Sequence, residues 1–145
     1  YGKLDATEDE IIEVAKLSHA NHFIHTLPNA YDMVLNEETS NISAGEKQLL
    51  TIARTFLLNP KILILDEATS SIDTRSEILI SKAMEKLMKN KTCFVIAHRL
   101  STIKNADMII VMDQGKIIEV GNHQELLKAK GFYYNLYNSQ FDVIN

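Results

Sequence analysis

The sequence has a single cysteine, no excess of basic residues and no long hydrophobic run, and each of these absences excludes a class of protein. A lone Cys93 excludes a disulfide within the chain and is typical of a reducing compartment. No apolar run approaches the ~18 residues that would span a bilayer, so we expect this segment to be soluble. The formal net charge of -4 gives no general attraction to nucleic acid, because phosphate binding needs clustered lysine and arginine.

The first part of the chain has the pattern of amphipathic helices. A T-x-x-E motif at residues 7–10 predicts a helix start with a capping box, and apolar residues follow it at three- and four-residue spacing. An S-x-x-E motif at 43–46 predicts a second helix start, and the Asn-Pro pair at 59–60 ends that helix. We therefore predict that residues 1–58 form a helical segment.

The pattern then changes to strand, helix, strand. The apolar runs "ILIL" at 62–65 and "CFVIA" at 93–97 show no alternation, and a helix from Thr74 with Glu77 as its capping partner lies between them. Apolar strands separated by a helix predict parallel strands that are buried on both faces, with Cys93 buried among them.

The end of the chain predicts a hairpin and two helices. "MIIVM" at 108–112 and "KIIEV" at 116–120 flank a short loop with a glycine, so we expect these strands to pair. Residues 122–125 cap one more helix, and the aromatic segment 132–141 forms a last helix whose rings cover the sheet. We predict an α/β fold class, with residues 59–145 as the α/β part.

Two adjacent carboxylates end the first predicted strand. Asp66 and Glu67 follow "ILIL", and α/β proteins bind ligands at the carboxyl ends of parallel strands. Because successive side chains diverge there, one carboxylate can hold Mg²⁺ while its neighbour orients or deprotonates a water. The alternative is an exposed strand end with two solvated acids.

Two further segments can contact a phosphate. In "NISAGEKQ", Ser43 caps a helix and Gly45 lies in its first turn, so backbone N–H groups, a hydroxyl and the positive end of the helix dipole can face an anion. A purely structural capping box is the alternative, and both can hold at once. His98 follows a strand and can hydrogen bond to a phosphate oxygen or a water, or else cap the next helix.

Three histidines, at positions 19, 22 and 25, have a spacing that resembles a metal site. Two successive steps of three residues carry the third histidine well off the helix face of the first, and no cysteine or acidic cluster joins them. We interpret them as surface or packing residues.

Taken together and in this order, the segments resemble the nucleotide-binding domain of ATP-binding cassette (ABC) transporters. "ISAGEKQ" is similar to the signature sequence, "ILILDE" to the Walker B strand, "SSID" at 70–73 to the D-loop and "AHR" at 97–99 to the segment of the switch histidine. The sequence segments "DEATSSID", "AHRLSTI" and "YGKLDAT" look most like those of exporters of the multidrug, lipid or peptide class. The resemblance implies a partial P-loop NTPase (RecA-like) core with a helical ABC subdomain.

The resemblance also implies roles for the residues that match in the core. Asp66 would hold Mg²⁺ through water, Glu67 would be the general base for the attacking water, and His98 would contact the γ-phosphate of ATP. The implied reaction is in-line attack of water on that phosphate, in which positioning and charge neutralisation do most of the work.

Other matching residues would act across a dimer of two nucleotide-binding domains. Ser43 and the backbone of Gly45 would contact ATP bound by the second domain, and Ser71 with Asp73 would carry communication between the two. Glu37 falls where exporters contact the coupling helices of their transmembrane domain. The implied partners are therefore a second nucleotide-binding domain and the transmembrane domain, at the cytoplasmic face of the membrane.

The signature departs from the usual L-S-G-G-Q at two positions. Ala44 replaces the first glycine; it keeps the backbone N–H and loses mainly backbone freedom. Glu46 replaces the glutamine, and a carboxylate near a triphosphate is unfavourable unless it turns back into the capping box. The loop at 36–39 also lacks the glycines that are usual in exporters.

The sequence contains no G-x-x-x-x-G-K-[S/T] motif, whose backbone amides cradle phosphates. We interpret the chain as a carboxy-terminal portion of an exporter's ATPase domain, inactive by itself, whose parent protein hydrolyses ATP. One alternative is a non-catalytic module whose signature helix completes a partner's site. Another is a piece of a soluble cassette ATPase. The sequence identifies neither the transported substrate nor whether the dimer has two identical subunits.

Overall fold

The computed structural model describes residues 2–35, 42–66, 72–96 and 100–141. The chain forms two compact units, residues 1–94 and 95–145. The first contains α1 (Glu8–Leu17), α2 (Asn21–Ile24), a 3₁₀ turn (Ala30–Asp32), α3 (Ala44–Leu58), β1 (Ile62–Asp66), α4 (Thr74–Met88) and the start of β2 (Thr92–Ile96). The second contains the end of β2, α5 (Leu100–Lys104), β3 (Ile109–Asp113), β4 (Lys116–Gly121), α6 (His123–Ala129) and α7 (Phe132–Phe141).

The capping boxes predicted at the starts of α1 and α3 are confirmed. At α1, the N–H of Glu10 donates to the Thr7 hydroxyl at 3.3 Å and the N–H of Thr7 donates to the Glu10 carboxylate at 2.9 Å. The predicted end of α3 is also confirmed, because Asn59 adopts a left-handed conformation directly after Leu58. Within the described ranges, no helix has both the length and the apolar character needed to cross a membrane.

Helix α4 begins at Thr74 as predicted, but the prediction of its cap is wrong. The N-cap is Asp73, whose carboxylate accepts from the N–H of Ser76 at 2.9 Å. Asp and Thr are both good N-cap residues, so the two adjacent positions compete. The backbone of Asp73 is extended, with φ -65° and ψ 152°, which is the conformation that an N-cap requires.

One hydrophobic cluster forms the core of the first unit. Its buried members come from α1, α2, α3, β1, α4 and the link between the first two helices: Ala15, Ala20, Phe23, Ile24, Leu49, Ile52, Leu63, Ile80, Ala83 and Leu87. The predicted helical segment and the first strand therefore share a core. The division predicted after residue 58 is not the boundary of the compact units, which falls within β2, and it stays a prediction about domains.

Strands β1 and β2 pair as a two-stranded sheet. At the start of both strands, the N–H of Thr92 donates to the carbonyl of Lys61 at 3.1 Å. Paired strands that begin at the same edge run in the same direction. This is the parallel arrangement that the strand-helix-strand pattern predicts.

The prediction that both faces of these strands are buried is wrong for the described chain. Leu63 is 4% exposed in the core, whereas Ile62, Ile64 and Phe94 are 61, 76 and 56% exposed. Residues of α3 and α4 pack with Leu63, and no described element covers the opposite face. Cys93 is half-buried rather than buried, and this burial raises the pKa of its thiol. An apolar run shows that a strand suits burial but not which layer covers it.

The second unit is built on the predicted hairpin. β3 and β4 are antiparallel, and Asp113 lies opposite Lys116 at the turn. Gln114 and Gly115 both have positive φ, 46° and 77°, as the tight two-residue hairpin turn requires.

The helices of the second unit also follow their predicted signals. The N–H of Glu125 donates to the Asn122 side chain at 3.0 Å, and the N–H of Asn122 donates to the Glu125 carboxylate at 2.9 Å. Tyr133 of α7 is buried with Val111 and Leu126, so the aromatic cover predicted for the sheet is confirmed at this ring.

Candidate functional site

The start of α3 is a capping box whose two polar side chains are engaged with each other's backbone. The Ser43 hydroxyl accepts from the N–H of Glu46 at 3.2 Å, and the Glu46 carboxylate accepts from the N–H of Ser43 at 2.8 Å. Glu46 therefore turns back into the box, which is the arrangement that makes a carboxylate at this position compatible with a nearby phosphate. The hydroxyl hydrogen of Ser43 remains able to donate outward.

Two backbone donors remain at this helix end. The hydrogen bonds among the described residues include none from the N–H of Ala44 or of Gly45. The first N–H groups of a helix have no intrahelical acceptor, and together with the helix dipole they favour an anion. Ser43 and Ala44 are exposed, so an anion can reach this end from solvent. The residues present therefore fit a phosphate group.

Gly45 is the buried residue of this turn, and it faces α4. A Cβ at Gly45 would lie 2.6 Å from the Cβ and 2.8 Å from the Oγ of Ser76, and 3.3 Å from Ile72. The φ of Gly45 is not positive, so the turn itself does not need glycine. Close packing against the first turn of α4 is what excludes a side chain here.

Asp73 lies at the start of the neighbouring helix. The backbone N–H and the hydroxyl of Ser76, its main hydrogen-bond donors, hold the pKa of the Asp73 carboxyl below its ordinary value. The carboxylate is exposed. Asp73 thus has a structural function as a cap, and the communication role implied by the resemblance stays a prediction.

Asp66 is the last residue of β1, and its side chain is exposed. This placement at a strand end agrees with the prediction. Glu67 and His98, the two predicted catalytic residues, lie outside the described residues, as do Ser71 and Glu37. Their predicted convergence on one phosphate stays a prediction.

No group of three metal-ligating side chains gathers anywhere in the described ranges. The Asp66 carboxylate is the type of oxygen ligand that Mg²⁺ takes, and protein sites for Mg²⁺ commonly use one or two carboxylates with water and substrate phosphates. A single acid at a strand end therefore suits a magnesium ion held chiefly by nucleotide and water.

Of the histidines at the start of the chain, His22 and His25 are exposed and His19 is partly buried. His25 lies edge-on to the Tyr31 ring, with centroids 5.7 Å apart. His19 adopts a left-handed conformation, and its Nε2 is buried without a partner among the described residues. Burial first, and then the positive charges of Lys86 and Lys82, lower the pKa of His19. These observations support the interpretation of the three histidines as surface or packing residues.

Sequence reasoning missed Ser76. Its only local signal is the position three residues after Asp73, which identifies a first-turn residue of α4 but not its neighbour in space. Its contact with Gly45 joins segments 31 residues apart in the chain, and no spacing rule predicts such a contact.

Comparison with known proteins agrees with the predicted fold class and with the predicted family. Residues 3–70 match the profile of the family described as ABC transporter. A fatty acid ABC transporter ATP-binding/permease protein of Mycobacterium tuberculosis is 54% identical over 136 residues, which cover 94% of this chain and 22% of that protein. An ATP-dependent lipid A-core flippase of Desulfotalea psychrophila is 55% identical over 140 residues, covering 97% of this chain and 24% of that protein.

A solved structure gives the same result. The structure of a bacterial Atm1-family ABC exporter with ATP bound superposes on 97% of this chain with a TM-score of 0.82 and 42% identity. The match covers 24% of that exporter chain, so this chain spans about a quarter of the length of the proteins it resembles. The likeness confirms the predicted α/β class and its helical ABC part. The chain belongs to the ABC transporter family.

Proposed function

We propose that this chain is a carboxy-terminal part of the ATP-binding and hydrolysing domain of an ABC exporter. The observation that carries the proposal is the start of α3, where the Ser43 hydroxyl lies beside the N–H groups of Ala44 and Gly45, which have no acceptor among the described residues. A helix end of this kind favours an anion. The parent protein, meaning the protein that carries this segment, would couple ATP hydrolysis to export at the cytoplasmic face of a membrane. The substrate class is open within multidrug, lipid and peptide export.

The proposed site divides into residues that act on one nucleotide and residues that act on its counterpart. Asp66 would hold Mg²⁺, Glu67 would accept the proton of the attacking water, and His98 would donate a hydrogen bond to the γ-phosphate. Ser43 and the N–H of Gly45 contact the γ-phosphate held by the second domain. Support comes from Asp66 at a strand end and from the parallel start of β1 and β2.

Bound Mg²⁺ and the nucleotide would supply the charge neutralisation and the leaving group of an in-line phosphoryl transfer. The residues of this chain would position the reacting groups relative to the nucleotide. The end of β1 positions Asp66, and the capping box fixes Ser43 against the N-terminal turn of α3. Orientation of this kind is a major part of catalysis by such enzymes.

The proposed partners are a second nucleotide-binding domain and the transmembrane domain of the exporter. Glu46 remains acidic at a position that is commonly glutamine in the family, although it turns back into the box. A heterodimer with two unequal sites is therefore a specific alternative to a homodimer. Mass measurement of the purified parent complex distinguishes the two.

The experiment that tests the proposal is Glu67→Gln in the parent protein. We expect MgATP turnover to fall by at least about 100-fold, since general acid–base groups typically contribute 10²–10⁴. Equilibrium binding of ATP should stay within about twofold because the carboxamide keeps the size of the side chain. Glu85→Gln, an exposed position in α4, is the matched control. Undiminished turnover in Glu67→Gln would remove Glu67 from the role of general base.

A second candidate applies to the segment by itself. The α3 start is formed within this chain while the sequence has no phosphate-cradling loop, which favours a module that completes a partner's site. The 145-residue chain should show no MgATPase above background and should bind an intact nucleotide-binding domain only with ATP present. Steady turnover abolished by Glu67→Gln would show instead that the segment is catalytic.

A further inference from the structure

The starts of α3 and α4 are in close contact at Gly45 and Ser76. At this contact the two backbones have no room for an additional side-chain carbon between them. Gly45 of α3 is buried, and Ser76 of α4 lies directly over its Cα. The Cβ–Cβ distance of 2.6 Å that an alanine at 45 would create is shorter than real Cβ contacts allow. A Cβ belongs to the backbone frame and cannot rotate away, so the helices themselves would have to separate.

The position of Ser76 is in turn fixed by the cap of its own helix. Its N–H donates to the Asp73 carboxylate at 2.9 Å, and Asp73 is the N-cap of α4. A line of contacts therefore runs from Asp73 through Ser76 to Gly45. Further along, α3 and α4 pack through apolar residues of the shared core, including Leu49 and Ile80.

We propose that Ser76 is a positioning residue for the proposed phosphate-binding end of α3, and that it acts through its contact with Gly45. This inference rests on the function proposed above. The backbone of Gly45 is held against α4 on one side, which aims the Ser43 hydroxyl and the N–H groups of residues 44 and 45 as a unit. Glycine is required at 45 because a side chain there would collide with α4.

This assignment differs from the usual reason for a glycine near a ligand. If conformational freedom were needed, φ would be positive, and it is not. If only a nucleotide required space, removal of the Ser76 side chain would bring no relief to a larger residue at 45. Recovery of a Gly45→Ala variant on removal of the Ser76 side chain therefore distinguishes the two explanations.

The test is a double-mutant cycle in the parent protein, with MgATP turnover and thermal unfolding as readouts. Gly45→Ala should lower turnover at least about tenfold, since a displacement of about 1 Å in a catalytic arrangement can cost up to 100-fold. Equilibrium binding of ATP to the subunit's own site should stay within about twofold. A general loss of folding would reduce binding and turnover together.

Rescue separates positioning from other effects. Gly45→Ala combined with Ser76→Gly should recover turnover to within about threefold of the Ser76→Gly single variant, because the Cβ of Ser76 that collides with the new Cβ at position 45 is gone. Gly45→Ala with Ser76→Ala should not recover, since that Cβ remains. Gly45→Ala with Ser81→Gly should not recover either; Ser81 is an exposed serine of the same helix and serves as the matched control.

Each outcome decides the proposal. Unchanged turnover and an unchanged unfolding temperature in Gly45→Ala would overturn the proposal, because the contact with Ser76 would then not exclude a side chain at position 45. Failure of Ser76→Gly to rescue either readout would assign the need for glycine to something other than α4. If the unsubstituted parent protein hydrolyses no ATP, the proposed function fails, whereas non-additive unfolding temperatures at 45 and 76 would still show the contact itself.

Discussion

Helices α1 and α3 begin with the same capping box and differ in the two residues inside it. In α1 the residues between Thr7 and Glu10 are Glu8 and Asp9, which place two exposed carboxylates at the positive end of the helix. In α3 the corresponding residues are Ala44 and Gly45, which carry no charge. The box stabilises both helices, and the inner pair differs in charge: two carboxylates repel an outside anion at α1, and no such repulsion comes from residues 44 and 45 at α3.

The two boxes also differ in what holds their glutamate. Glu10 accepts from Lys3 at 2.7 Å in addition to its box, so the charge of this carboxylate is neutralised within the chain. Glu46 forms no ion pair among the described residues. The first turn of α1 already carries the carboxylates of Glu8 and Asp9, whereas the uncharged residues of α3 leave room for an anion from outside, which the helix dipole favours.

The largest expected effect comes from making α3 resemble α1. Ala44→Glu should reduce MgATP turnover of the parent protein by about 100-fold, because a carboxylate in the first turn of α3 repels a triphosphate and takes its place at the helix end. Ala44→Gln has nearly the same size without the charge and should keep most of the activity. Equal losses of turnover in Ala44→Glu and Ala44→Gln would show that side-chain size, not charge, causes the effect. The proposed difference between α1 and α3 would then be wrong.

The next effect separates capping from binding. Ser43→Ala and Thr7→Ala should each lower the free energy of unfolding by about 1 kcal/mol, which is typical of a lost N-cap. Only Ser43→Ala should also lower turnover, by about tenfold, since a hydrogen bond to a charged group contributes about 1.5–3 kcal/mol. If Thr7→Ala lost as much activity as Ser43→Ala, the loss in both variants would come from reduced stability and not from phosphate binding.

A smaller effect is expected at the glutamate of the α3 box. Glu46→Gln should leave the unfolding free energy within about 0.5 kcal/mol, because glutamine also completes a capping box. Turnover should be equal or up to about threefold higher, since a negative charge near the phosphate has been removed. Glu46→Ala, which opens the box, should reduce both quantities. Lower turnover in Glu46→Gln would mean that the carboxylate itself is used.

The smallest effect concerns pH at the α1 box. Hydrogen bonds from Lys3 first, and then from the Thr7 backbone, lower the pKa of Glu10. A lowered folded-state pKa gives stability that is complete above the unfolded value and is lost as the pH falls through the folded value. Lys3→Met should raise the pKa of Glu10 in an NMR titration and weaken this acid dependence. An unchanged pKa would show that the ion pair does not form in solution.

The local parts of the structure could be predicted from the sequence. The three capping boxes depend on residues three apart, so their spacing alone identified them, and the hairpin turn was marked by its glycine. The cap of α4 was misassigned because Asp73 and Thr74 suit the same position and the choice depends on where the preceding segment ends.

The parts that depend on distant residues could not be predicted. Nothing near Gly45 in the chain indicates that Ser76 lies against it, since the contact results from the packing of α3 on α4. The uncovered face of β1 is similar: Ile62 and Ile64 are apolar enough for burial, yet exposure depends on whether a second layer is present.

The most direct test of the central claim measures the N–H groups at the start of α3. In the parent nucleotide-binding domain with Glu67→Gln, which should bind ATP without turnover, ¹H–¹⁵N spectra are recorded with and without MgATP. We predict that the amide signals of Ala44 and Gly45 shift as the ATP-dependent dimer forms, while those of Glu8 and Asp9 stay in place. Dimerisation with the Ala44 and Gly45 signals unmoved would contradict the claim that this helix end binds phosphate.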